Sequence, residues 1–272
     1  MAPQVLSFPK LIQLDLGAQG VKYDGNEADP RPVRFGIGGP VGSGKSHLLL
    51  RLCQRLGGEH SIVAITNDIY SREDEKFLIR AGALADGRIL GVETGGCPHA
   101  AIRDDISVNA DALARLQDRF GDTRVAFIES GGDNLSASFS PDLVDYQIYV
   151  IDVAQGGDIP RKGGLGITRS DLLVVNKVDL APYVEVDLQR MTDDVRAARG
   201  DLPFVMTNLK DGSGVEEAAA WIVAALGAPR RDRPAWGVGG HHHHPHDHGN
   251  GLHSHHHHAG HAEDHLHAAN VR

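Results

Sequence analysis

Only two cysteines, Cys53 and Cys97, occur in 272 residues. A scaffold stapled by disulfides needs more, and no bridge between these two is expected. There is no basic excess either. Lys and Arg total 27 against 36 Asp and Glu, a formal charge of −9. Nucleic acid and acidic membrane surfaces both demand a basic face, so neither is expected as the main partner. No segment approaches the length of apolar chain that spans a bilayer, so no transmembrane helix is expected. Met1 to Lys10 lacks a basic stretch leading into an apolar core. No secretory signal is therefore expected, and a cytoplasmic location is the default. Hydrophobic content is 41% and mean hydropathy −0.26, a little below the globular average.

Against these absences stands one complete motif. Gly39 to Ser46 read G-P-V-G-S-G-K-S, the P-loop pattern. Gly39, Gly42 and Gly44 allow the tight turns that aim backbone N–H groups inward at phosphate oxygens, with Pro40, Val41 and Ser43 completing the loop. Lys45 supplies a point charge for the β- and γ-phosphates. Ser46 supplies a hydroxyl for Mg²⁺, and His47 follows in the first turn of a helix whose N-terminus favours anions. The flanks fit this reading. Arg34 to Ile37 is strand-like, and Leu48, Leu49, Leu52 and Leu56 recur at helical spacing.

From Val33 to Ala228 strand-like and helix-like segments alternate, the pattern of an α/β fold with a mostly parallel sheet flanked by helices. Strands are expected at 35–38, 62–66, 89–93, 125–129, 148–153, 172–176 and 204–207. Helices are expected at 45–56, 74–81, 100–120, 188–199 and 215–226. Residues 1–32 carry many Gly, Pro and polar residues and read as a partly flexible arm, with a short hairpin over 11–21. Residues 229–272 form a tail without apolar periodicity.

Two further strings bear on the nucleotide. Asn176-Lys177-Val178-Asp179 follows an apolar strand, as the guanine-reading N-K-x-D motif does in GTPases. That likeness implies that Asp179 accepts from the guanine N1–H and amine, a match adenine cannot make. Thr207 and Asn208, after the next strand, are expected to complete the base pocket. Glu129 ends the apolar strand 125–129, at the strand end where open α/β sheets bind ligands. It can serve Mg²⁺, directly or through water, or the attacking water. Asp68 is a second Mg²⁺ candidate and Glu73 a third, alongside Ser46. Lys45, Asp68 and Glu129 are thus the expected catalytic groups.

Gly95-Gly96-Cys97-Pro98-His99 suggests a metal site. Pro98 favours extended geometry at Cys97, so Cys97 and His99 can face one cation. They supply two ligands, and a second protomer across a two-fold axis would supply two more. Such a site suits Ni²⁺ if square-planar and Zn²⁺ if tetrahedral. Cys53 lies in an apolar helix and reads as core.

Taken together, residues 33–226 resemble the UreG family, SIMIBI-class P-loop GTPases that help deliver nickel to urease. The resemblance rests on G-G-P-V-G-S-G-K-S (38–46), T-N-D-I-Y (66–70), V-E-T-G-G-C-P-H (92–99), E-S-G-G-D-N-L (129–135), I-P-R-K-G-G (159–164), I-T-R-S-D-L-L-V-V-N-K-V-D-L-A (167–181) and the Trp221 helix. It implies a GTP-dependent homodimer with nickel held between protomers by Cys97 and His99. It also implies partner accessory proteins that pass the ion to apo-urease. Ser46 and Ser71 stand where Thr is usual, and Leu165 where Pro is expected, so the loop there is expected to be looser. No arginine finger is evident; Arg103 and Arg161 are the candidates, and slow GTP hydrolysis without a partner is expected. The related hydrogenase-maturation nickel GTPases fit the 92–99 and 129–135 strings less well.

The tail holds 14 of the 17 histidines, including His241, His242, His243, His244, His255, His256, His257 and His258. Its interruptions by Pro245, Asp247 and Ser254 argue for a native segment rather than a tag. Imidazoles at this density bind Ni²⁺, Zn²⁺ or Cu²⁺ weakly and exchangeably. The tail therefore reads as a metal reservoir, and a His-rich storage protein is the alternative from a different functional class.

Overall fold

In the computed structural model, residues 31–68, 72–95, 98–132 and 138–228 are described. Seven strands carry the fold: β1 Val33–Gly38, β2 Ile62–Asp68, β3 Ile89–Glu93, β4 Val125–Glu129, β5 Tyr146–Asp152, β6 Leu172–Asn176 and β7 Phe204–Met206. They form one sheet in the order β3-β2-β4-β1-β5-β6-β7, and every neighbouring pair is parallel. Parallel strands covered on both faces must be apolar throughout, and β1, β4 and β6 are buried at every position.

Alternate residues of each strand feed opposite layers. Phe35, Ile37, Phe127, Ile148 and Val174 point to one face, under α1 (Lys45–Leu56), α2 (Glu73–Arg80) and α8 (Val215–Gly227). Trp221 of α8 packs edge-on against Phe35 and Tyr146 there. Val63, Ile65, Ala126 and Ile128 point to the other face, under α3 (Pro98–Arg103) and α4 (Ser107–Arg119). Further along that face, Tyr149, Ile151, Leu173 and Val175 lie under α5 (Ile159–Lys162), α6 (Leu165–Arg169) and α7 (Leu188–Arg199). The α/β class and the parallel sheet are as the sequence predicts.

Three local expectations change. The helix expected over 100–120 is two helices. Asp105 breaks it by accepting from the N–H and hydroxyl of Ser107, which starts α4 afresh. Strands β1, β2 and β5 begin or end two residues beyond the expected limits. The segment with Leu165 in place of Pro is helical, since Leu165 opens α6 after Gly164 at φ 108°. The arm and its expected hairpin, residues 1–30, and the tail lie outside the described residues.

Arg199, at the end of α7, is 5% exposed. Its guanidinium donates to the carbonyls of Ile167, Ser170 and Pro203 and to the Ser170 hydroxyl. It stitches the α6–β6 turn to the turn before β7. Burial pulls it down to about 10, so it remains charged at neutral pH. Arg199→Met would leave those acceptors unmet and is expected to cost about 3 kcal/mol in urea unfolding. A loss within 0.5 kcal/mol, the ordinary size of a surface change, would show that water replaces the guanidinium at little cost.

Candidate nucleotide and metal site

The carboxyl ends of the central strands open into a cavity of about 1010 Å³. It runs from the loop between β1 and α1 to the segments after β6 and β7. Val41, Gly42, Gly44, Lys45, Ser46 and His47 line it on one side, and Asn176, Lys177, Asp179, Asn208 and Leu209 on the other. Gly39 and Gly44 have φ of 145° and 104°. A Cβ at Gly39 would sit 2.2 Å from the Val150 carbonyl, and one at Gly44 2.3 Å from the Asn176 amide nitrogen. Both positions therefore need glycine for space as well as for backbone angle.

The two sides are tied together. Asn176 Nδ2 donates to the Ser43 carbonyl at 2.9 Å, while its Oδ1 accepts from Thr207 Oγ1 and Leu209 N. Thr207, expected in the base pocket, is instead fully buried beneath it, where it orients Asn176. Asn208 does line the cavity. Arg51 of α1 adds a second tie, donating to the carbonyls of Leu209 and Lys210. Lys177 adopts φ 59°, and its Nζ lies 3.3 Å from Asp152, a buried carboxylate at the end of β5. Asp179 is exposed to the cavity. The His47 ring packs tilted against Phe77 of α2, with ring centroids 4.9 Å apart.

Ser46 Oγ lies 2.7 Å from Glu129 Oε1 and 2.9 Å from Asp74 Oδ1. A hydroxyl has one proton and cannot donate to both. One carboxyl must therefore donate to it. Glu129 is suited to that role. Burial first, then the Asp74 charge, pushes its carboxyl up to about 8 from 4.5, against the opposing pull of Lys45 and the Ser46 bond. Its second oxygen, Oε2, is buried with no hydrogen-bond partner among the described residues. Lys45 is 7% exposed and donates to the Pro40 carbonyl at 3.2 Å.

This donor set fits Mg²⁺. A hydroxyl, two adjoining carboxyls and the Asp68 side chain of the same cavity are hard oxygen ligands. Among the described residues no three His, Cys, Asp or Glu side chains are preassembled round an ion. Phosphate oxygens and water would have to complete the shell, as Mg²⁺ usually requires. Glu73, expected as a ligand, is exposed and held by Lys76 at 2.8 Å, which keeps its carboxyl below the usual range. The α2 carboxylate that reaches Ser46 is its neighbour, Asp74.

The other predicted residues divide. His99 is partly buried in the first turn of α3, while Cys97 lies outside the described residues, as do the tail histidines. Cys53 is core, 1% exposed. Arg103 is exposed, and Arg161 pairs with Asp194 of α7 at 3.3 Å. No helix among the described residues is long and apolar enough to cross a membrane. Sequence reasoning missed Asp74, Arg51 and Asp152. A first-turn Asp reads as a dipole partner, and the other two declare themselves only through contacts distant in sequence.

Comparison with known proteins places the chain in a nucleotide-binding family. Residues 33–206 match the family described as CobW/HypB/UreG, nucleotide-binding domain. The urease accessory protein UreG of Staphylococcus aureus (strain JH9) is 56% identical over 191 residues, 70% of this chain and 94% of the relative. The UreG proteins of strains Newman and USA300 match equally. Among solved structures, the hydrogenase maturation factor HypB of Archaeoglobus fulgidus superposes with a TM-score of 0.56 at 27% identity, over 72% of this chain and 90% of that one. HypB of Helicobacter pylori in complex with nickel gives 0.61 at 15% identity, over 76% and 93%, a likeness of fold alone.

The raised Glu129 carboxyl has a measurable consequence. The folded state holds its proton up to about pH 8, and the unfolded chain releases it near 4.5. Stability therefore falls as pH rises from 4.5 through 8. Glu129→Gln is neutral throughout and should escape that decline. Urea unfolding is expected to show the variant more stable by on the order of 5 kcal/mol at pH 8.5, with the gap closing toward pH 4.5. A gap that does not change with pH would mean that Glu129 is ionised in the folded protein.

Proposed function

The chain belongs to the UreG family of P-loop GTPases, and from that premise we propose that it couples GTP binding and hydrolysis to dimerisation and nickel delivery during urease assembly. The observation that carries the reading is the joined cavity. A phosphate-cradling loop and an N-K-x-D segment are locked to each other by Asn176, in a chain 56% identical to urease accessory proteins.

Residues 33–228 form the GTPase domain. The P-loop N–H groups of 39–47 hold the phosphates, and Lys45 turns from the Pro40 carbonyl to the β- and γ-oxygens. Asp179 accepts from the guanine N1–H and amine, and Lys177, braced by Asp152, borders the base. Ser46 and Asp68 hold Mg²⁺, with Asp74 and Glu73 the adjoining carboxylates of α2. Bound there, the ion would supply positive charge to offset that of the phosphates. Water attacks the γ-phosphorus, the bond to the β–γ bridging oxygen breaks, and the proton leaves with phosphate. Asp68 and Glu129 orient the groups around that water. Nickel is the cargo, shared by Cys97 and His99 of two protomers, and residues 229–272 concentrate it nearby. Residues 1–32 are an arm outside the GTPase domain. Other urease accessory proteins receive the dimer and pass nickel to apo-urease in the cytoplasm. Zn²⁺ is the competing ion.

A hydrogenase role is the second reading, favoured by the superposition on HypB of Archaeoglobus fulgidus. Identity of 56% to urease proteins against 27% to HypB ranks it lower. Restoration of urease, not hydrogenase, activity in deletion strains is the expected result.

Base recognition has its own test. Asp179→Asn replaces one acceptor with a donor, so it should weaken GTP by at least a hundredfold and favour xanthosine triphosphate, whose C2 carbonyl accepts from the new amide. Unchanged GTP affinity would remove Asp179 from the base site. For the delivery cycle, light scattering of the full chain is expected to report a dimer only with nickel, Mg²⁺ and a nonhydrolysable GTP analogue together, and Cys97→Ala should abolish it. A mass that ignores nucleotide and nickel alike would end the coupling scheme.

A further inference from the structure

Two fully buried asparagines join the nucleotide end of the sheet to α3. Asn67 precedes Asp68 on β2, and Asn109 lies in α4. Each is 0% exposed. Asn67 Nδ2 donates to Asn109 Oδ1 at 3.0 Å, and Asn109 Nδ2 donates back to Asn67 Oδ1 at 2.9 Å. The second N–H of Asn67 reaches the Glu129 carbonyl at 2.9 Å. The second N–H of Asn109 reaches the Ala101 carbonyl in α3, also at 2.9 Å. All four amide protons are used. A closed buried network of this kind fixes relative position more tightly than apolar packing, because slippage strands polar groups without water.

The ends of the bridge are telling. One is the backbone of Glu129, whose carboxyl meets Ser46 of the P-loop helix. The other is α3, whose first turn holds His99 and which begins directly after Cys97. β2 itself continues into Asp68 of the cavity. We propose that the Asn67–Asn109 pair is a positioning bridge that makes the placement of α3, and with it metal capture at Cys97 and His99, follow the state of the nucleotide at Glu129 and Asp68. The inference rests on the delivery cycle proposed above and names the contact that carries it. Neither asparagine is required to touch nucleotide or metal.

Asn109→Leu keeps the size of the side chain and cuts the bridge. The full chain is used, with Mg²⁺ and either GDP or a nonhydrolysable GTP analogue. Alkylation by iodoacetamide reads Cys97, since Cys53 is buried and burial pushes its thiol up. Thiolate-to-nickel absorbance reads nickel at the same sulfur without interference from the imidazole tail. Between the two nucleotides, wild type should differ about tenfold in both readouts, a usual size for coupled sites. Asn109→Leu should differ less than twofold while hydrolysing GTP within about twofold of wild type, because the cavity is untouched. A variant that keeps the tenfold ratio overturns the bridge and leaves the delivery cycle standing. A wild type with no ratio overturns both. Should the variant fail to fold, amide exchange on wild type decides. Protection of 98–106 must change with nucleotide in step with 64–68 and 126–130, and unchanged protection of 98–106 refutes the bridge.

Discussion

One side-chain amide sets the span of the nucleotide cavity. Asn176 leaves β6 and bonds the Ser43 carbonyl inside the P-loop, so close to Gly44 that a single methyl there would collide with it. The P-loop and the N-K-x-D segment are thereby held at one separation. Preorganisation of this sort lowers the ordering cost of binding. The backing is redundant. Thr207 and Leu209 N fix the Asn176 oxygen, and Arg51 pulls the 209–210 backbone toward α1 from outside. The first residue of N-K-x-D is thus a structural bracket, while Asp179 of the same segment is exposed to the cavity.

The charge arrangement in the same cavity is the opposite of relaxed. Glu129 is buried beside Asp74 and near Asp68, with the Lys45 charge opposing them. Burial beside another carboxyl disfavours the charged form, so the Glu129 carboxyl keeps its proton up to about pH 8. The Ser46 hydroxyl is the hinge of this balance. It lies within hydrogen-bond distance of both the Glu129 and the Asp74 carboxyl.

Much of this was legible beforehand for a physical reason. Parallel strands buried on both faces have to be unbroken apolar runs, so β3, β4 and β6 stand out at their observed limits, and the P-loop fixes its own glycines through sterics. What stayed hidden was built from contacts far apart in sequence. Asn67 and Asn109 are 42 residues apart, and nothing local marks an Asn in a helix as half of a buried pair. Arg51 and Leu209 are 158 apart. The break at Asp105 was readable in principle, since Asp two residues before Ser is a turn former, but the apolar period of Ala112, Leu113 and Leu116 carried the helix across it. Helices of four and five residues such as α5 and α6 are too short for any period to register.

The layering explains why a buried polar bridge is needed at all. The P-loop helix α1 and helix α2 cover one face of the sheet, while α3 and α4 cover the other. Between them stands a sheet packed at near-crystalline density, which transmits rigid displacement well but carries no preferred direction through apolar contact alone. Hydrogen bonds are directional. Passing from the end of β4 through Asn67 to Asn109 and on to α3, they run through the buried interior from the strand end to the helical layer. An apolar pair in the same place would pack as well and be cheaper to bury. That this joint is made of amides is therefore best understood as a demand for register between a nucleotide edge and a helix on the opposite face, a demand that stability by itself does not make.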